Sequence, residues 1–391
     1  MTIELKLISL QEAADYLQVS RSTINRWRKD RGFPTIKIAR DVYVDRNRMD
    51  VWIRAHAELV AARGQQEDGD GGIIVIGCQS RNAHMWGSVL IRELGLLDAE
   101  LREMGGTAGS GTPRYRWVDL NGPRQLEEMV AGRLHIASLG DLPMMNLYRI
   151  SELFPSFKAR LLAFDGKSAA GSGMSCVVQD GSGIRDLSKL SKRTIKTLRH
   201  SSSWHRLSRS LDFASATDAV IVDQDSDRNF DDMLQASSDA WAVCEPYATM
   251  ARTYGLGRLL PFEGCDADYL TGIVVNEKWL SGRETFVFAY LRAHLKAHQC
   301  LREQPAMAAG FISRATGFPF DIVLRVIASI RWEAAVYAED LASLHGMNAY
   351  RQPFALPDDW RHLRRDFAGD HFLREAAAQL KLPIQAESRG W

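Results

Sequence analysis

Two groups of side chains in this 391-residue sequence have types and spacing that could do chemistry: a basic, hydroxyl-bearing stretch near the N-terminus and a set of loops farther along. Within residues 19–32, Arg21, Ser22, Thr23, Asn25, Arg26 and Arg28 share one polar helix face, opposite Val19, Ile24 and Trp27. Hydroxyls and guanidinium groups on the first turns of such a helix reach phosphates and base edges in a major groove. Lys37 and Arg40 follow on an alternating segment that reads as a two-stranded wing. Between Ser20 and Arg48 there are nine Lys or Arg against three Asp, a local excess of six that the whole-chain net charge of +1 conceals. Double-stranded DNA is the partner this stretch implies. Trp27 falls on the inward stripe and is expected in the core.

The second group lies where apolar strand-like runs end. Ser80 and Asn82 follow one such run, Asp141 another, Ser201, Ser202, Ser203 and Trp204 a third, and Glu245 and Tyr247 a fourth. Loops at the carboxyl ends of strands are where open α/β folds bind small molecules. A triple serine between strand and helix offers hydroxyls and free amides to an anion such as a sulfonate or carboxylate. One of those serines is equally suited to capping the helix. Asp141 and Glu245 suit an amino or hydroxyl group on a ligand, and equally a helix cap or an ion pair. The ten histidines show no spacing of the H-E-x-x-H kind, so neither metal nor cofactor is expected.

The elements that must position these groups are legible as patterns. Ser9 and Glu12 have capping-box spacing ahead of Ala13, Ala14 and Leu17. Ser20 caps a second helix, and a third runs over residues 46–61. Residues 62–72 are polar and Gly-rich, as in a linker. Beyond them, apolar runs near 74, 115, 135, 175, 196, 220, 243 and 274 alternate with helical segments, which implies a mostly parallel sheet. Helical segments dominate from Arg283. The reading is α/β overall: a winged helix-turn-helix over 1–61, a linker over 62–72, a two-lobed domain over 73–345, and a helical extension over 346–391. Five dispersed cysteines and the lack of a long apolar run or leader fit a protein of the cytoplasm, not a membrane.

Two resemblances sharpen this. Leu10, Glu12, Ala13, Ala14, Leu17, Val19, Ser20, Thr23, Ile24, Arg26 and Trp27 resemble the excisionase and MerR-type winged helix-turn-helix family. Residues 77–105, 122–143, 186–207 and 237–247 carry, in order, motifs similar to those of the type II periplasmic-binding-protein family, in its nitrate, sulfonate and taurine or thiamine-precursor branch. Lys192-Arg193 and Cys244-Glu245 depart from that family's usual Gly-Lys and Trp-Asp. Together the resemblances imply a one-component transcription regulator, not an enzyme, that binds a small anionic effector between lobes and works as a homo-oligomer. Two alternatives come with them. The segment Cys78-Gln79-Ser80-Arg81-Asn82-Ala83 resembles the nucleophile loop of an aromatic-sulfinate desulfinase of the same fold, which would make Cys78 catalytic, with its pKa lowered at a helix N-terminus. The other is an excisionase-like accessory protein.

Overall fold

The computed structural model of the chain describes residues 7–17, 19–38, 41–53, 55, 72–105, 113–154, 157–347 and 361–382. Arg40 and residues 62–71 of the linker lie outside the described residues. At the N-terminus the capping box forms as its spacing predicts. The Ser9 hydroxyl accepts from the Glu12 amide at 3.0 Å, and the Glu12 carboxylate accepts from the Ser9 amide at 2.7 Å. Helix α1 (Leu10–Leu17) then buries Leu10, Ala13, Ala14 and Leu17. Helix α2 (Arg21–Arg31) starts at Ser20, whose hydroxyl accepts from the Thr23 amide at 3.1 Å, and stops at Gly32 in the left-handed region. Trp27 is core, its ring 5.9 Å from Phe33 and 5.4 Å from Trp52. The wing has three strands, β1 (Leu7–Ser9), β2 (Ile36–Ile38) and β3 (Asp41–Asp45), ordered β1-β3-β2. Its first strand is too short to show as an alternating pattern.

Lobe I is a six-stranded sheet of β4 (Ile74–Cys78), β5 (Tyr115–Asp119), β6 (Ile136–Gly140), β7 (Ala159–Ser168), β13 (Tyr269–Asn276) and β14 (Arg331–Trp332), ordered β14-β7-β13-β6-β4-β5. Lobe II holds β8 (Met174–Val178), β9 (Thr194–Thr197), β10 (Val220–Asp223), β11 (Ala240–Cys244) and β12 (Arg258–Leu260), ordered β10-β9-β11-β8-β12. The sheets are mixed, not mostly parallel. β4 pairs in parallel with β5 and β6, but β13 runs antiparallel to both β6 and β7. The reason is the path of the chain, which leaves lobe I after β7 and returns as β13, entering the sheet in the opposite direction. Strand β7 escapes the sequence pattern because Asp165 and Lys167 interrupt its apolar run, and both are fully buried.

Five helices position the functional groups: α3 (Trp86–Glu93), α4 (Gly122–Val130) and α5 (Asp141–Leu153) from lobe I, α6 (Ser202–Phe213) from lobe II, and α7 (Glu284–Glu303) behind the lobe I sheet. The apolar underside of the winged module is continuous with part of the lobe I core, including Leu126, Met129, Val130, Leu147 and Phe154. Tyr16 meets the Phe154 ring edge-on at 6.2 Å. The described part of the C-terminal extension backs the same lobe: the Leu161 amide donates to the Phe367 carbonyl at 3.0 Å, and the Gly369 amide donates to the Leu161 carbonyl at 2.8 Å. Among the described residues no helix is long and apolar enough to cross a membrane.

Candidate ligand cleft and DNA-reading helix

A cleft of about 570 Å³ opens between the lobes. Residues 79–82 after β4 and 119–124 after β5 form its lobe I wall, while residues 201–203, 225–227 and Cys244 form the opposite wall, with Tyr269 between them. The walls touch at their rims. Asn121 donates to the Asp225 carboxylate at 2.7 Å, and the Arg81 guanidinium lies 3.2 Å from Asp227. Inside, the Asn82 amide donates to the Tyr269 hydroxyl at 2.7 Å. The Ser80 amide donates to Asp119 at 3.1 Å.

The triple serine supplies the helix cap expected of one of its members and places all three residues on the cleft wall. Ser201 caps α6, accepting from the Trp204 amide at 3.3 Å and donating to the Leu198 carbonyl at 2.6 Å. Ser203 bonds Ser201 at 2.9 Å. The buried Ser202 hydroxyl has no partner among the described residues, although Ser202 lines the cleft. Hydroxyl groups at the start of a twelve-residue helix favour a negatively charged group by hydrogen bonding and by the helix dipole.

Four expected ligand contacts are elsewhere. Asp141 is fully buried outside the cleft lining and pairs with Arg206 at 2.6 Å, which is the ion-pair option its type allowed. Glu245 caps the next helix, accepting from the Thr249 amide and hydroxyl at 3.0 Å each. Tyr247 is buried against the Phe318 ring at 5.5 Å, and Trp204 packs beside the His200 ring at 5.2 Å. In each case the side chain has a polar or aromatic partner outside the cleft lining, and for Asp141 that partner comes from the opposite lobe. Ser80, Asn82, Ser201, Ser202 and Ser203 do line the cleft. Arg81, Asn121 and Arg124 line it as well and were not among the expected contacts. Their signal was positional, since Arg81 and Asn121 lie in loops just after β4 and β5 and Arg124 on the first turn of the helix that follows.

Cys78 is not the activated thiol its loop resemblance implied. It is the last residue of β4, fully buried and outside the cleft lining, and burial with the nearby Asp119 charge pushes its pKa up to about 12. A thiol so placed is protonated at neutral pH.

On α2, the side chains of Arg21, Ser22, Asn25 and Arg28 are exposed, as is Lys37 on the wing. Thr23 and Arg26 are not free, contrary to their expected place on the DNA-facing surface. Both donate to the carboxylate of Glu127 on α4 of lobe I, the Thr23 hydroxyl to one oxygen and the Arg26 guanidinium to the other. Glu127 is nearly buried, and Arg124 approaches it to 3.9 Å. The local sequence of α2 cannot reveal a carboxylate supplied by a helix a hundred residues away. Helix α4 therefore has two contacts of interest. Its cap Asn121 and first residues line the cleft, and Glu127, on its second turn, holds the helix-turn-helix module.

Comparisons with known proteins reach both parts of the chain. Residues 7–57 match the family model "Helix-turn-helix domain". That match points to DNA binding by the N-terminal module. The larger part has the fold of periplasmic solute-binding proteins. The alkanesulfonate-binding protein from Xanthomonas axonopodis pv. citri, solved with MOPS, is 18% identical with a TM-score of 0.58, covering 70% of this chain and 90% of its own. The periplasmic aliphatic sulphonate-binding protein of Escherichia coli is 19% identical with a TM-score of 0.54, covering 70% and 89%. The periplasmic nitrate-binding protein from Synechocystis PCC 6803 is 12% identical with a TM-score of 0.62, covering 80% and 90%. No curated protein sequence matches the chain.

Proposed function

We propose that this protein is a one-component transcription regulator whose DNA-reading helix is controlled by a small anionic ligand, sulfonate-like in its head group, bound between the lobes. The observation that carries the reading is helix α4, which lines the cleft at its start and clasps Thr23 and Arg26 through Glu127. In the clasped form two of the polar side chains on α2 are occupied, while Arg21, Ser22, Asn25 and Arg28 remain exposed. A ligand that pulls on residues 121–124 changes the position of Glu127 and so the freedom of α2. It shifts the balance between clasped and released forms only by its difference in affinity for the two.

The anionic preference rests on the Ser202 hydroxyl, the start of α6, and the amides of Asn82 and Asn121, all on the cleft wall. Asp225 and Asp227 at the rim face Asn121 and Arg81, and the Asp119 carboxylate on the wall accepts from the Ser80 amide. The role needs no reaction at Cys78, whose thiol is buried and protonated. Working on DNA places the protein in the cytoplasm, and binding as a homo-oligomer would supply the second half-site that one small module lacks.

The test has two arms. Thermal midpoints of the full chain are measured with methanesulfonate, taurine, nitrate and a thiamine pyrimidine, then a wider set of metabolite anions. Duplexes are separately selected from a random-sequence pool on the full chain. A midpoint raised by one sulfonate and enrichment of a duplex that Arg21→Ala with Arg28→Ala abolishes are the expected results. If no anion shifts the midpoint, ligand sensing is wrong; if no duplex is enriched, regulation through DNA is wrong.

A further inference from the structure

Behind the cleft, inside lobe I, the structure holds a cluster that neither ligand binding nor DNA reading uses. We propose that Asp165 of β7 together with His294 and His298 of α7 forms a structural site for one divalent transition-metal ion, of the zinc class. One ligand atom from each of the three residues lies within 4.8 Å of the other two. The histidines are four residues apart on one helix face, with ring centroids 4.2 Å apart.

Hydrogen bonding shows what the cluster lacks. The His298 Nε2 stands 2.9 Å from Asp165 Oδ1, and the His294 Nε2 stands 2.8 Å from the Phe164 carbonyl. With those bonds made, three lone-pair atoms remain without a partner among the described residues: Asp165 Oδ2, His294 Nδ1 and His298 Nδ1. All three residues are at most 1% exposed, so water does not reach these atoms from the surface. The cluster thus holds three buried acceptors without donors, and a cation held by one ligand atom from each residue would compensate them. The bond from His294 to a backbone carbonyl is the outer contact that orients a metal-binding imidazole. Two imidazoles and one carboxylate suit zinc and its first-row neighbours and disfavour magnesium or calcium.

Asp165 forms no Lys or Arg ion pair among the described residues, and the neighbouring Lys167 directs its ammonium to Asp340 at 2.7 Å. Room for the carboxylate is made by Gly87 on α3, where a Cβ would fall 2.6 Å from Asp165 Oδ1. The buried hydroxyl of Tyr290, one turn before His294, also has no partner among the described residues. An ion here would pin α7 to the strand from which the chain crosses into lobe II. It would enter during folding, as in other closed sites.

The test uses the full chain, purified without a polyhistidine tag. About one zinc per chain is expected by elemental analysis after dialysis. Unfolding in chelator and refolding with Co²⁺ should give visible d–d absorption and a higher thermal midpoint than refolding in chelator alone. Asp165→Asn and His298→Gln should lose the band. Since either could fail to fold, His294→Cys serves as a gain-of-signal variant, expected to add a thiolate-to-cobalt charge-transfer band in the near ultraviolet. Wild-type protein with neither retained zinc nor a cobalt band overturns the proposal, and so does a cobalt band that all three variants leave unchanged.

Discussion

The clasp at Glu127 can be tested by removing its carboxylate and measuring the affinity for a selected duplex. Glu127 is 4% exposed in its side chain and accepts from the Thr23 hydroxyl and from Arg26, whose side chain is 30% exposed. A hydrogen bond to a charged group contributes about 1.5–3 kcal/mol net. Solvent screening at Arg26 reduces its share to about 1 kcal/mol. The two contacts together therefore favour the clasped form by about 2.5–4 kcal/mol, on top of the apolar continuity between α1 and lobe I. If the released form is the one that binds DNA, Glu127→Ala should tighten binding by roughly 60- to 700-fold, since about 1.4 kcal/mol corresponds to tenfold. Glu127→Gln, which keeps the shape without the charge, should give roughly tenfold.

Fluorescence anisotropy of a labelled duplex at fixed salt measures both. Losing a negative charge raises affinity for any polyanion, so Glu277→Ala is the control, as Glu277 pairs with Arg160 at 2.7 Å elsewhere in lobe I. It should change affinity by no more than about twofold. The same duplex assay should show a ligand response in wild type that is absent in Glu127→Ala. Affinity unchanged or weakened in Glu127→Ala, or raised equally in Glu277→Ala, refutes the clasp.

Other outcomes rest on the same geometry. Ser202→Ala should leave the thermal midpoint of the free protein unchanged, because its hydroxyl has no partner among the described residues, while reducing the shift produced by an anion; loss of stability with ligand response intact would remove Ser202 from the site. Asp141→Ala strands Arg206 inside the protein and should cost about 3–5 kcal/mol in urea unfolding, and a cost below about 1 kcal/mol would contradict the buried pair. Acid should destabilise the fold through His84, His135 and His205, which burial pushes down to about 3, 4 and 3 from 6.5. Their contribution is present above pH 6.5 and is lost as pH falls toward the folded values, at up to about 1.4 kcal/mol per pH unit each. Thermal midpoints across pH 7 to 5 measure this, and a flat profile would count against it. Cys78 should resist alkylation at pH 8 in the native protein and react in urea, as peptide mass spectrometry would read.

The sequence alone determined whatever depends on neighbours along the chain. The capping box of Ser9 and Glu12, the Ser20 cap, the inward Trp27 and eight of the strands in the two lobes are local, because capping and hydrophobic periodicity act over a few residues. The serine loop at 201–203 was legible for the same reason. Tertiary structure decided what depends on residues brought from afar. Only the packed lobes show that Asp141 answers Arg206, that Thr23 and Arg26 meet Glu127, and that Asp165 on an unforeseen strand faces His294 and His298. A buried charge must find a partner wherever the fold supplies one, and nothing in the spacing around it says where that partner lies.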